Sequence, residues 1–161
     1  MEHVAIPERR TRQFEHYLDL MRHRTLRLVR SDCFLGFSVP APRRIRRRIG
    51  GSTTRIVQFA FTANGFYIDI PDTSMTPEEA RRAVAERPRF GFALDNRLKT
   101  LGERQYDPVQ RHYHYGEGRA AAEDAAYVFF NLWQIPVDAS IKVRAAAFEV
   151  KRHWELGFSM R

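Results

Sequence analysis

Two histidines alternate with two tyrosines in the run His112-Tyr113-His114-Tyr115. Residues two positions apart lie on one face of a strand, so this spacing brings both imidazoles to the same side. A zinc site needs three or four ligands, and the other histidines are distant in the sequence: His3, His16, His23 and His153. We therefore predict a polar strand face here and no metal site.

The densest group of acidic residues comprises Asp69, Asp72, Glu78 and Glu79. Paired carboxylates can act as general acid and base or bind Mg²⁺. Local structure explains all four without catalysis. Asp69 falls on the outer face of a predicted hairpin, Asp72 follows a proline in a turn, and the glutamates begin a helix. We predict no catalytic residue, and therefore that the protein is not an enzyme.

Two glycine-containing segments share some features of phosphate-binding loops: Gly50-Gly51-Ser52-Thr53-Thr54 and Gly116-Glu117-Gly118. The first lacks the P-loop spacing and leads into a strand, and the second has no preceding βαβ unit. We predict no cofactor. The single cysteine, Cys33, excludes an internal disulfide, and its apolar neighbours indicate a buried thiol.

The strongest chemical signal is a set of five arginines within six residues, between Pro40-Ala41-Pro42 and Gly50-Gly51. This arginine segment contains Arg43, Arg44, Arg46, Arg47 and Arg48. Five guanidinium groups cannot be packed into a core, so they must face water or an acidic partner. We predict that residues 40–54 form a basic connecting loop.

The charge of the whole chain indicates the same kind of partner. Its 161 residues include 27 Lys and Arg against 19 Asp and Glu, which gives a formal net charge of +8. This balance favours acidic proteins, nucleic acid or anionic lipid. No apolar run approaches the roughly 20 residues that span a bilayer, and the N-terminus lacks the apolar centre of a secretory signal. We expect a cytoplasmic protein that does not engage a membrane.

Helical patterns recur along the chain. Apolar residues repeat at helical spacing from Pro7 to His23 and from Arg119 to Trp133. Thr76-Pro77-Glu78-Glu79 supplies an N-cap, a proline at the first helical position and the glutamate of a capping box. In the long helix, Asp124 falls in the first turns, where negative charge complements the helix dipole. A further short helix is predicted by three leucines: Leu94, Leu98 and Leu101.

The clearest strand pattern is a hairpin from Arg55 to Ile70, in which Asn64-Gly65 would occupy the centre of a type I′ turn. That turn pairs residue 61 with residue 68. It places five apolar residues on one face: Phe59, Phe61, Phe66, Ile68 and Ile70.

Other strand patterns cover Cys33–Val39, Arg111–Tyr115 and Ile141–Ala147. In the tail, residues 151–161, Trp154 and Phe158 alternate with polar residues, which indicates an edge strand or a docking segment. The order of elements predicts a single α+β domain over residues 1–161. Its mainly antiparallel sheet would carry helices on one face.

Four stretches carry a resemblance to a known family: Val57-Gln58-Phe59 through Gly65-Phe66-Tyr67-Ile68, Leu98 to Leu101-Gly102, Ala121 to Trp133, and Val137-Asp138 to Phe148. In pattern and order they are similar to the bacterial TY-Chap and YbjN-like group, which is related to type III secretion chaperones. The resemblance implies a helix-flanked antiparallel sheet that binds another protein, often as a dimer, without catalytic residues. The positive charge departs from that pattern, because secretion chaperones are commonly acidic.

These features favour a non-catalytic protein-binding module of chaperone or adaptor type. Its surface would combine the exposed sheet face at Tyr67, the edge from Trp154 to Phe158 and the arginine segment, because sheets commonly capture peptides by strand addition or in apolar grooves. The client would be a protein with an acidic surface. The alternatives are a nucleic-acid-associated protein that uses the five arginines, and an immunity or antitoxin-like inhibitor.

Overall fold

The structure is a computed structural model that describes residues 3–27, 33–93, 108–147 and 156–161. Its strands are β1 (Cys33–Pro40), β2 (Thr54–Thr62), β3 (Gly65–Ile70), β4 (Gly91–Phe92), β5 (Val109–Tyr113), β6 (Ile141–Ala147) and β7 (Leu156–Met160). The strands form one sheet in the order β4-β5-β3-β2-β1-β6-β7, and each neighbouring pair is antiparallel.

The helices are α1 (Glu8–Arg27), α2 (Pro77–Glu86) and α3 (Gly118–Ala126), and α3 continues as a π-helical turn (Tyr127–Leu132). Short 3-10 helices cover Arg43–Ile49, Asp72–Ser74 and Tyr115–Glu117. Within the described ranges, no helix is both long and apolar enough to span a bilayer. The predicted α+β class is confirmed.

Aromatic side chains join the helical layer to one face of the sheet. Phe14 of α1 lies 4.8 Å from Phe37 of β1 and 5.6 Å from Phe129 of the π-helical turn, measured between ring centroids. Phe37 in turn contacts Phe59 of β2 at 6.2 Å. All four rings are fully buried. Each contributes roughly 1.5–3 kcal/mol through apolar burial, so this cluster fixes the helices on the sheet.

The hairpin confirms the predicted face and corrects the predicted register. Its five apolar residues are buried on the helix-covered face, as predicted. However, Phe61 pairs with Phe66 and not with Ile68, and the loop is Ala63-Asn64. A shift of two residues leaves every side chain on its original face, which is why the pattern could not distinguish the two registers.

The type I′ turn is wrong, because neither Asn64 nor Gly65 has a positive φ. The side chain of Thr62 stabilises the turn instead. Its hydroxyl donates to the Gly65 carbonyl oxygen at 3.1 Å and accepts from the Asn64 backbone N–H at 3.4 Å. Gly65 is required for another reason: a Cβ at this position would lie 2.5 Å from the carbonyl oxygen of Tyr113 in β5.

Most other predicted elements are confirmed. The predicted helix from Pro7 corresponds to α1, which continues to Arg27. The capping box at α2 is present, since Glu79 N–H donates to the Thr76 hydroxyl and Thr76 N–H donates to the Glu79 carboxylate. The helix predicted from Leu94, Leu98 and Leu101 lies outside the described residues.

Replacing Gly65 with alanine should lower the free energy of unfolding by about 1–3 kcal/mol, because the new methyl group collides with the backbone of β5. Gly91→Ala is the matched control in the neighbouring edge strand, where an added Cβ meets no atom within 4 Å. The control should change stability by less than about 0.5 kcal/mol in urea titrations. Equal losses for both variants would contradict this explanation.

Candidate functional site

The arginine segment, predicted as a connecting loop, contains a 3-10 helix from Arg43 to Ile49. Ile45 and Ile49 are buried and form a small apolar cluster with Ala41, separate from the main core. Gly50 ends the helix in the left-handed conformation, at φ 71°. The helix in place of the predicted loop could have been found in the sequence. Two isoleucines four residues apart interrupt the arginines and provide a buried face. We call Arg43–Ile49 the arginine helix.

Four of the five arginines are exposed on this helix, and Arg46 is half-buried. The Arg46 side chain donates from Nε to the Ala41 carbonyl oxygen at 3.2 Å. Arg48 forms an ion pair with Glu78 of α2. The remaining three, Arg43, Arg44 and Arg47, form no ion pair within the described part of the chain. The arginine helix therefore presents positive charge that its described neighbours do not neutralise.

The arginine helix lies against the beginning of α2. A hydrogen bond to its own backbone N–H, together with the nearby charge of Arg48, lowers the pKa of the Glu78 carboxyl, so Glu78 stays ionised and can hold Arg48 at neutral pH. Next to this pair, a cleft of about 150 Å³ separates Arg44 from Trp133. The site is thus an ordered basic surface beside a narrow cleft.

In the wall of the cleft, the almost fully buried side chain of Arg55 forms an ion pair with Glu79, which is 21% exposed. Its Nη2 atom contacts both carboxylate oxygens of Glu79 at 3.1 Å, and its guanidinium carbon lies 5.1 Å from the ring centroid of Trp133. Only 2% of the Arg55 side chain is exposed. Because Glu79 also belongs to the capping box, the same carboxylate fixes both α2 and the floor under the arginine helix.

The structure does not bring Tyr67 to the arginine helix. Tyr67 lies on the sheet face away from the helices, in register with Ala60, which pairs with Phe34. The arginine helix follows Pro40, which lies six residues farther along β1 than Phe34. In an extended strand, six residues span about 20 Å. Phe158 belongs to the edge strand β7, where it pairs with Val143, and Trp154 lies outside the described residues. The structure therefore places Tyr67 apart from the arginine helix, and the contribution of Trp154 and Phe158 to a composite surface stays a prediction.

Sequence reasoning missed a buried carboxylate network centred on Asp124. This residue, which was expected only to complement the helix dipole from the first turns, is fully buried in α3 and binds side chains of other elements. Asp124 accepts hydrogen bonds from Arg87 Nε at 2.8 Å, Arg111 Nη1 at 2.5 Å and the Tyr113 hydroxyl at 2.5 Å. Burial and the adjacent carboxylate raise the pKa of Tyr113 far above its usual range, so its hydroxyl remains a donor. The network joins α3 to β5 and to the end of α2.

The acidic residues singled out in the sequence have separate partners. Asp69 accepts a hydrogen bond from the Gln110 side chain at 2.7 Å, while Glu78 and Glu79 bind Arg48 and Arg55. In the described ranges, no three potential metal ligands converge. Comparison with protein-family models, curated proteins and solved structures finds no match to this chain.

Asp124→Asn should lower the free energy of unfolding by about 3–5 kcal/mol, because it leaves two guanidinium groups near a buried site without their counter-charge. Glu123→Gln, one residue earlier on α3, removes an exposed ion pair with Arg119 and should cost less than about 1 kcal/mol. Urea unfolding of both variants measures the difference. Similar stability of the two would mean that the Asp124 network contributes little.

Proposed function

We propose that this protein is a non-catalytic protein-binding module of chaperone or adaptor type, whose arginine helix engages an acidic segment of a protein client in the cytoplasm. The observation that carries the proposal is the ordered helix with three arginines free of described ion pairs. Arginine suits this role because its planar guanidinium donates two parallel hydrogen bonds to one carboxylate. The resemblance to TY-Chap and YbjN-like proteins supports the same class of function.

The order of the arginine helix matters for affinity. A flexible basic loop would lose conformational entropy when it bound a client, whereas a helix anchored by Ile45 and Ile49 has already lost most of it. The backbone of this helix therefore sets the positions from which Arg43, Arg44 and Arg47 extend.

Two features favour an acidic protein over nucleic acid as the client. Single-stranded nucleic acid is usually held by exposed aromatic rings on which bases stack, but the ring beside this surface, Trp133, is only 6% exposed and lies against Arg55. In addition, the carboxylates of Glu78 and Glu79 line the adjacent cleft. Acidic side chains spaced along a peptide can avoid these two carboxylates, whereas the phosphates of a nucleic-acid backbone follow one another without a gap.

A triple variant in which Arg43, Arg44 and Arg47 are each replaced by glutamine should bind a fluorescent glutamate-rich peptide roughly tenfold or more weakly, because charge-assisted hydrogen bonds are lost. Fluorescence anisotropy at low and high salt measures the affinity. Binding by the wild type should fall as salt rises.

The matched control removes three positive charges elsewhere, by Arg9→Gln, Arg12→Gln and Lys142→Gln at exposed positions. It should retain most of the affinity if the arginine helix is the site, and equal losses would indicate only a response to net charge. Preferential binding of single-stranded or duplex nucleic acid, lost in the arginine-helix variant, would overturn the protein-client proposal.

Ile49→Ala tests whether the order of the arginine helix matters independently of charge. Ile49 is 1% exposed and belongs to the small cluster that anchors the helix. Its truncation should loosen this local unit and weaken peptide binding severalfold, although every arginine remains. Hydrogen exchange of the amides from Arg43 to Gly51 would report the loosening, and unchanged affinity despite faster exchange would show that preorganisation is unimportant.

A further inference from the structure

A second basic site lies at the other end of the sheet, in a surface cleft of about 420 Å³. Three elements supply its basic side chains. His112 belongs to β5, His114 follows this strand directly, and Arg89 lies in the segment after α2. Asn64, at the turn of the hairpin, lines the same cleft. The His-x-His spacing noted in the sequence thus brings both imidazoles to one cavity.

The composition of this cleft favours an anion over a metal cation. None of the described residues that line it is aspartate, glutamate or cysteine. A guanidinium among the lining groups also repels a divalent cation. Arg89 and the imidazoles are instead the usual donors to phosphate oxygens, and an amide such as that of Asn64 can add a neutral donor.

The nearest carboxylate orients the basic groups. Glu117 accepts from Arg89 Nη1 at 2.8 Å through one oxygen and from the His114 backbone N–H at 2.8 Å through the other. Glu117 thereby holds the guanidinium and the backbone of His114 in place. Arg89 retains further N–H donors, because the guanidinium has five and this contact uses one.

The walls of the cleft are suited to an organic group as well as a phosphate. The rings of Tyr67 and His112 are in contact, with centroids 5.2 Å apart. The volume lies within the range of roughly 300–1,000 Å³ that is typical of small-molecule sites. Gly65 lines the same cleft, and an added Cβ there would lie 2.5 Å from the carbonyl oxygen of Tyr113, so β3 and β5 are in close contact at this point.

We propose that this cleft binds a phosphate monoester, whose phosphate contacts Arg89, His112 and His114 and whose organic group lies against Tyr67. The site is independent of the arginine helix. The phosphate can belong to a small metabolite or to a phosphorylated side chain of a protein, since both present the same dianionic group.

The test is an NMR titration of the full chain, labelled with ¹⁵N at histidine, with phenyl phosphate as the probe and phenol as its neutral counterpart. Phenyl phosphate should shift the imidazole signals of His112 and His114 in a saturable manner and leave His16, on α1, unchanged. Arg89→Gln and His112→Gln should each weaken binding by roughly tenfold or more. His16→Gln, at another exposed position, should not.

A phosphoserine peptide distinguishes the two sources of the ligand. Tighter binding of the peptide than of phenyl phosphate would assign the site to a phosphorylated protein, and weaker binding would assign it to a small molecule. Either result supports the proposal. Three results would overturn it: shifts with phenol equal to those with phenyl phosphate, unchanged affinity in folded Arg89→Gln protein, or binding of Zn²⁺ to both histidines without any response to phosphate.

Discussion

The position of α2 is fixed by an ion pair at each of its ends, and both proposed binding sites depend on that position. At its start, Glu79 binds the buried Arg55 of β2, and just beyond its end Arg87 binds the buried Asp124 of α3. The inner face of α2 offers two buried alanines, Ala80 and Ala83, and the partly buried Val84, so apolar burial alone gives this helix a limited hold on the core. The charged pairs therefore determine where α2 lies, and leaving either partner uncompensated would be costly.

Arginine serves two purposes in this chain, and only one of them concerns a partner. Arg10, Arg55 and Arg111 lie about 5 Å from the ring centroids of Phe130, Trp133 and Tyr113, respectively. A planar, weakly hydrated guanidinium can stack in this way, which the ammonium group of lysine does less well. The net charge of +8 therefore overstates the positive charge that is available to a partner, since part of the arginine content stabilises the core. The arginines proposed to contact a partner are those that extend from the arginine helix, Arg43, Arg44 and Arg47, together with Arg89 at the second cleft.

Local patterns predicted the elements of this fold well, and long-range contacts explain what they missed. The capping box at Thr76 and the buried face of the hairpin follow from neighbouring residues, so they were predictable. The hairpin register was not, because β5 imposes the need for a glycine at position 65 from outside the hairpin. Asp124 was misread for a similar reason: its partners Arg87 and Arg111 come from other elements, 37 and 13 residues away. The arginine segment was predicted to be a partner surface, but its 3-10 helix was not predicted. His112 and His114 were predicted only to form a polar strand face.

The two basic surfaces lie at opposite ends of β2. The arginine helix approaches the sheet where Pro40 pairs with Thr54. The cleft lined by Arg89, His112 and His114 lies where Thr62 begins the hairpin turn. Eight residues of extended strand separate Thr54 from Thr62, about 26 Å, so a single small ligand cannot contact both surfaces. Besides β2, α2 also reaches both surfaces, through Glu78 at its start and Arg89 just beyond its end. If binding at one surface changes affinity at the other, one physical route is a shift of α2 against its two ion pairs.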